Sequence, residues 1–226
     1  LGAPLDFRLG FGRFGEAQTI HVQDSEAGIG RHAEPAAAVY GDIATALNEI
    51  RANASEVSLL DQCAQQIAAA PTLSTAVDSA LQTLRQLTPI TTCALYRYDG
   101  NLDQVVCESA SGDPHNLLKG LIIRLGERVT GWCAANQKVA VNSDAYLDLT
   151  EMAGRFSPSL RSTLCVPLLH EDKVSGVFTG YSTQENPFDE RHRYVAERVA
   201  DMLNSRLTSS IRNTRNIRAF PTSKHN

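Results

Sequence analysis

Two apolar stretches constrain this chain most. Residues 163–169 (Thr-Leu-Cys-Val-Pro-Leu-Leu) and 174–181 (Val-Ser-Gly-Val-Phe-Thr-Gly-Tyr) are separated only by the charged turn His170-Glu171-Asp172-Lys173. A strand with one wet face alternates apolar and polar residues. These two are apolar at most positions, as strands are when both faces of their sheet are covered. The rest of the chain has to supply that cover.

Helical patterns flank the strands. Asp189 is placed as an N-cap with Glu190 at the positive end of the helix dipole, and Val195, Val199, Met202, Leu203 and Leu207 follow on one face. Upstream, Ser74 is a candidate N-cap for a helix whose apolar face runs through Leu73, Val77, Ala80, Leu81, Leu84 and Leu87. The period then changes to two. Residues 92–98 and 104–109 read as a hairpin around Asp99-Gly100-Asn101, a tight-turn composition. A short strand over 120–125 leads into a glycine turn that opens a short helix near Gly131. A brief strand at 139–142 and a loop-and-helix stretch over 143–158 complete the series.

Residues 35–70 read as one long helix. Pro35 suits a first helical position, Gly41 marks a later true start, and Pro71 ends it. Ile43, Leu47, Ile50, Ala54 and Val57 recur at heptad spacing, and the stripe continues in a different phase through Leu60, Ala64 and Ile67. So long a seam reads as a connector that pairs with a copy of itself, and we expect a homodimer through Ile43, Leu47, Ile50, Val57 and the C-terminal helix. Residues 1–35 hold six of the fifteen glycines and one strand-like run at 19–23. The expected organisation is an appendage at 1–35, a connector helix at 36–71, a main domain at 72–212 and a basic flexible tail at 213–226 containing Arg215, Arg218 and Lys224.

A formal net charge of −4 gives no electrostatic reason to expect nucleic acid or an anionic membrane as partner. No run approaches ~20 apolar residues, and no signal peptide precedes the domain, so a cytoplasmic location is expected. A start at Leu1 rather than Met suggests a piece of a longer protein. Five cysteines at wide spacings, mostly in apolar runs, suit buried reduced thiols better than a disulfide frame or a zinc site.

Five segments in order resemble the GAF domain family. Gly126 through Gly131-Trp132-Cys133-Ala134 resembles the family's G-x-G-(x)-x-G-W-V-A turn, with Arg128 where a second glycine often sits. Val139 to Asp144 is similar to the strand that follows it, and Ser162 to Leu168 to the S-x-L-x-V-P-L strand. Gly176-Val177-Phe178 resembles G-V-l, and Phe188-Asp189 a shortened F-x-x-x-D helix start. The resemblance spans 60–212. It implies an α+β, GAF/PAS-like fold: a six-stranded antiparallel sheet with helices on both faces, preceded by the long connector helix. It also implies a dimer contact on the terminal-helix face, a pocket under the loops between 110 and 160, and an output domain elsewhere in the full-length protein. Pocket-lining candidates are Tyr96, Ser109, Arg124, Trp132, Asn142, Asp144, Arg155, Ser162 and Thr179. Which cofactor, if any, the domain takes is left open by the sequence.

Sharper chemistry finds less support. Gly10-Phe11-Gly12-Arg13-Phe14-Gly15 matches G-x-G-x-x-G, but a strand-like run follows where a dinucleotide site needs a helix. Cys133 falls where GAF-type free-methionine sulfoxide reductases carry a redox cysteine. The other two positions of that set have no cysteine here, and none occurs between 134 and 164. The same gap argues against a covalent bilin, and Asn186 with Phe188-Asp189-Glu190 is too broken a match for the cyclic-GMP signature. The six histidines form no metal-binding spacing, which leaves only a lone His115 for an axial haem ligand. Asn53-Ala54-Ser55 is a chance sequon on a predicted helix. The expectation is a sensory, non-catalytic module. A thiol-based reductase and a ligandless dimerisation scaffold are the alternatives.

Overall fold

The structure is a computed structural model. It describes the backbone of residues 20–23, 37–40 and 43–218 and the side chains of residues 51–208. The glycine motif at 10–15, Pro35, Gly41 and Lys224 lie outside the described residues, as do the side chains of Ile43, Leu47, Ile50 and the tail arginines.

The chain divides into two units, Leu1–Ser58 and Leu59–Asn226. In the first, β1 (Ile20–Gln23) pairs in parallel with β2 (Ala37–Tyr40). Residues 37–40 are therefore strand where the helical reading begins at Pro35. Val39 and Tyr40 favour extended backbone, and helix α1 (Ile43–Ala69) starts only past Gly41.

The second unit is built on a six-stranded sheet in the order β5-β4-β3-β8-β7-β6, antiparallel throughout. Its strands are β3 (Thr92–Asp99), β4 (Gln104–Ser111), β5 (Ile122–Arg124), β6 (Ala140–Asp144), β7 (Ser162–His170) and β8 (Lys173–Ser182). The two apolar stretches are β7 and β8, neighbours near the sheet's centre, as their composition requires.

One face carries α2 (Leu73–Leu87), α5 (Glu190–Arg218) and the last turns of α1. Leu60, Cys63 and Ile67 of α1 are buried there with Val77, Leu81 and Leu84 of α2 and Val195, Val199, Leu203 and Leu207 of α5. They pack on Cys93, Leu95, Leu164, Val166 and Phe178 from the strands. The cap of α2 is Thr72 rather than Ser74: its hydroxyl accepts from Thr75 N and its own N–H is bound by Thr75 Oγ1. Asp189 caps α5, its carboxylate accepting from His192 N at 2.8 Å. That helix continues through Arg218, past 212.

The opposite face carries α3 (Arg128–Asn136), α4 (Ala145–Leu149) and a 3₁₀ turn, Thr150–Arg155. Here Ala94, Tyr96, Cys165, Val177 and Tyr181 from the strands meet Cys133, Leu149, Phe156 and Leu160. Alternation on β3, β7 and β8 thus feeds two separate cores from the same strands.

Candidate functional site

Close approach of α3 to the sheet assembles a polar cluster in the second core. A Cβ on Gly131 would sit 2.2 Å from Arg124 O, so only glycine lets α3 lie this near β5. That placement puts Thr130, fully buried, against α4. Helix α4 is started by Asp144, whose Oδ1 accepts from Tyr146 N at 2.8 Å, and one turn on it presents Asp148 inward with no exposed surface.

Asp148 is the sink of a directed network. Its Oδ1 accepts from Thr130 N at 2.8 Å. Its Oδ2 accepts from the hydroxyls of Thr130, at 2.8 Å, and Tyr181, at 2.7 Å. A hydroxyl has one proton to give. With those two committed to the carboxylate, Tyr96 donates to Tyr181 at 3.5 Å and Thr179 donates to Thr130 at 3.0 Å. The Cys165 thiol donates to Thr179 at 3.6 Å. Every donor points toward one carboxylate. Arg128 Nη1 binds the Asp148 carbonyl oxygen at 3.1 Å and fixes α4 from behind.

Burial, and after it the Asp148 charge, raise the acid groups around it. Cys133 is pushed up to about 12, and Cys165, Tyr96 and Tyr181 well above their ordinary values. All five cysteines are free and buried.

Of the residues singled out from the sequence, Tyr96 and Thr179 belong to this network. Ser109 is buried on β4, on the same side as Val105 and Cys107. Asn142, Asp144 and Ser162 instead line a separate polar cleft of about 260 Å³ with Arg161, Glu185 and Asn186 at the β6–β7 edge. There Asn142 clamps the Phe188 backbone in both directions and Ser162 accepts from Asn186 N. Arg124 and Arg155 are exposed, and Trp132 is 42% exposed on the outer side of α3. Asp148, Thr130, Cys165 and Tyr181 were not singled out. The strand residues among them were accessible to alternation from Thr179. Asp148 sits in a segment with no period to read. Among the described residues no group of three or more His, Cys, Asp or Glu could hold a metal, and no helix is long and apolar enough to cross a membrane.

An antiparallel six-stranded sheet with long terminal helices on one face and short helices over a buried polar patch on the other defines the class of this α+β domain. The chain belongs to the GAF domain family, whose model matches residues 70–203. Solved structures share the fold at low identity. The GAF domain from a phosphoenolpyruvate-protein phosphotransferase of Coxiella burnetii is 18% identical, with a TM-score of 0.61, covering 71% of this chain and 96% of its own. The corresponding Acinetobacter domain is 17% identical, with a TM-score of 0.57 and coverages of 70% and 95%. Free methionine-R-sulfoxide reductase from Neisseria meningitidis, in complex with its substrate, is 20% identical, with a TM-score of 0.56 and coverages of 70% and 91%. No curated protein matches the chain.

Proposed function

We propose that this chain is a small-molecule-sensing GAF domain of a cytoplasmic, multidomain signalling protein. It dimerises through α1 and α5 and passes a conformational signal to an output domain. The observation that carries the reading is the Asp148 network. Burying five polar side chains around one carboxylate is costly without a use for it. Tyr96 and Thr179, with Ser109 nearby, are the sequence-derived residues we assign to ligand reading. Asn142, Asp144 and Ser162 serve the β6–β7 cleft instead. A ligand that prefers one arrangement of α4 against the sheet would shift the population of helix packings on the far side.

The reductase likeness suggests a second reading, in which Cys133 does redox chemistry. Its thiol is fully buried and pushed up to about 12, so almost no thiolate exists at neutral pH. That supports sensing over thiol catalysis.

The test is a thermal-shift screen of the full chain against metabolites of anionic, neutral and cationic classes. A saturable rise in Tm, lost in Tyr181→Phe, supports the reading. Failure of every class to bind sinks it in favour of a scaffold. Turnover of free methionine sulfoxide that disappears in Cys133→Ser would replace it with the enzyme. The dimer is checked by light scattering: Val57, 59% exposed on α1, is expected to sit in the seam. Val57→Glu should give monomer, and a parent chain monomeric at high concentration would refute the seam.

A further inference from the structure

The buried charge of Asp148 has neutral partners only. Its carboxylate is fully enclosed, its three hydrogen bonds come from one amide and two hydroxyls, and no Lys, Arg or His among the described residues forms an ion pair with it. Arg128 spends its Nη1 on the backbone carbonyl instead. Neutral donors disperse a carboxylate's charge without cancelling it, and Oδ1 accepts only from Thr130 N among the described residues, which leaves it a free lone pair. A second, independent orphan lies on the same face. The Thr163 hydroxyl is fully buried and has no hydrogen-bond partner. Thr163 stands directly opposite Tyr181 on the neighbouring strand, so their side chains share one side of the sheet. Tyr181 is thus flanked by an uncancelled anion and by an oxygen without a donor.

A single chemical group answers both needs. An ammonium carries a positive charge and three donors with no acceptor, so it can give one hydrogen bond to Asp148 and another to Thr163 Oγ1. A neutral hydroxyl would satisfy Thr163 and leave the charge, while a carboxylate or phosphate would be repelled. We propose that this face recognises a small molecule through a protonated primary amine held between the Asp148 carboxylate and the Thr163 hydroxyl. The proposal rests on the sensing reading above and names the ligand class that reading leaves open. Burial first, and then the negative field of Asp148, raises Cys133, Cys165, Tyr96 and Tyr181, and that field favours a cation there as well. Access requires α4 to lift. Its joint with the 3₁₀ turn is Thr150, at φ 55° and ψ −138°, a conformation costly for a β-branched residue. The covering segment therefore holds strain that lifting can release.

The test uses the full chain with matched probes: free L-amino acids and aliphatic monoamines, each beside its deaminated 2-hydroxy acid or alcohol, with simple carboxylates and inorganic phosphate as anions. Thermal shift and calorimetry should show saturable binding confined to the amine members, weakening as pH rises through the ligand's amine pKa. Asp148→Asn should weaken it about 10- to 100-fold and Thr163→Val about tenfold, the ranges for losing a bond to a charged group. Thr163→Val keeps the side-chain shape and removes the orphan hydroxyl, so the free protein should be no less stable. If Asp148→Asn does not fold, the charge-class selectivity of the parent and the Thr163→Val result decide the matter. Equal binding of amines and deaminated partners, undiminished in Asp148→Asn, overturns amine recognition and leaves a sensing pocket of another class. Absence of binding by every compound, together with a failed wider metabolite screen, overturns both and reduces Asp148 to a latch that holds α4 down.

Discussion

Tyr181→Phe deletes one oxygen atom from the centre of the molecule. Two hydrogen bonds go with it. The first is the 2.7 Å bond to the Asp148 carboxylate, and a bond to a charged group contributes about 1.5–3 kcal/mol. The second is the Tyr96 contact at 3.5 Å, that hydroxyl's one partner among the described residues, so Tyr96 is left with a buried donor unsatisfied. That adds ~1 kcal/mol. The expected total is about 3 kcal/mol. For a domain of this size each kcal/mol moves Tm by ~2–4 °C, so a fall of about 6–12 °C should follow. Tyr96→Phe alone should cost under ~1 kcal/mol, because the bond it removes is long.

The double variant separates a network from a list of contacts. Once Tyr181 has lost its oxygen, removing the Tyr96 hydroxyl takes away an orphan rather than a bond. The double should cost no more than Tyr181→Phe alone, a coupling of roughly 1 kcal/mol. Urea unfolding, followed by far-UV circular dichroism and by the single Trp132, measures all three, with an unchanged m value confirming that only stability moved. A Tyr181→Phe cost within ~0.5 kcal/mol of zero, or strict additivity in the double, would show that Asp148 does not organise the donors as their common acceptor.

Alkaline conditions should unfold the domain early. Cys93, Cys107 and Cys133 are pushed from the ordinary 9.0 up to about 12, first of all by burial. A raised folded pKa gives stability that is whole below the unfolded value and lost as pH rises through the folded one. Stability should therefore decline between about pH 9 and 12, and a Cys93→Ala/Cys107→Ala variant should show a shallower decline relative to its own value at pH 7. For the same reason Ellman's reagent at neutral pH should titrate none of the five thiols in the folded chain and all five in urea. Gly176→Ala should destabilise by about 3 kcal/mol or prevent folding, since its Cβ would lie 2.1 Å from Tyr96 O, a backbone atom of the adjacent strand. A cost below ~0.5 kcal/mol would mean that β3 and β8 yield more than a packed sheet centre allows.

Periodicity read most of the sheet, because a strand buried on one or both faces writes its burial directly into its side chains. Strands β3 and β4 fall where the period-two alternation puts them, and β7 and β8 where the continuous apolar runs do. The failures have local causes. Residues 37–40 form a strand although they precede a helical heptad, because β1, distant in sequence, supplies their pairing. Ser74 lost the cap position to Thr72, whose reciprocal bonds with Thr75 no single-residue preference reveals. The polar cluster was half legible. Tyr96 and Thr179 announce themselves as polar residues in apolar strands, and the same alternation extends to Tyr181 and Thr163. Asp148 does not, since one aspartate in the segment Leu147-Asp148-Leu149 looks like many surface acids. Its burial follows from Gly131, which admits α3, and from Asp144, which starts α4, and those two effects meet only in three dimensions.

Strand β8 is where the two halves of the domain touch. Val177, Thr179 and Tyr181 face the Asp148 cluster, while Gly176, Phe178 and Gly180 face the helices. The helix side is tight: a Cβ on Gly176 would come within 2.9 Å of Leu207 on α5, and one on Gly180 within 2.5 Å of Ile90. Close-packed interiors shift between discrete arrangements rather than deforming smoothly. Under the proposed function, a ligand that draws Asp148 away from Tyr181 therefore cannot move β8 on one side alone. Any displacement of that strand presses on Leu207, and α5 is one of the two helices assigned to the dimer seam. The glycines at 176 and 180 then have a second use besides space. They leave the helix side of β8 without a side chain at those two positions, so a small shift at Tyr181 reaches α5 as a contact between the Gly176 backbone and Leu207. Leu207→Ala, which opens that contact, should leave ligand affinity nearly unchanged while weakening the ligand's effect on dimer stability. Equal ligand effects in parent and variant would show that the signal leaves the pocket by another route.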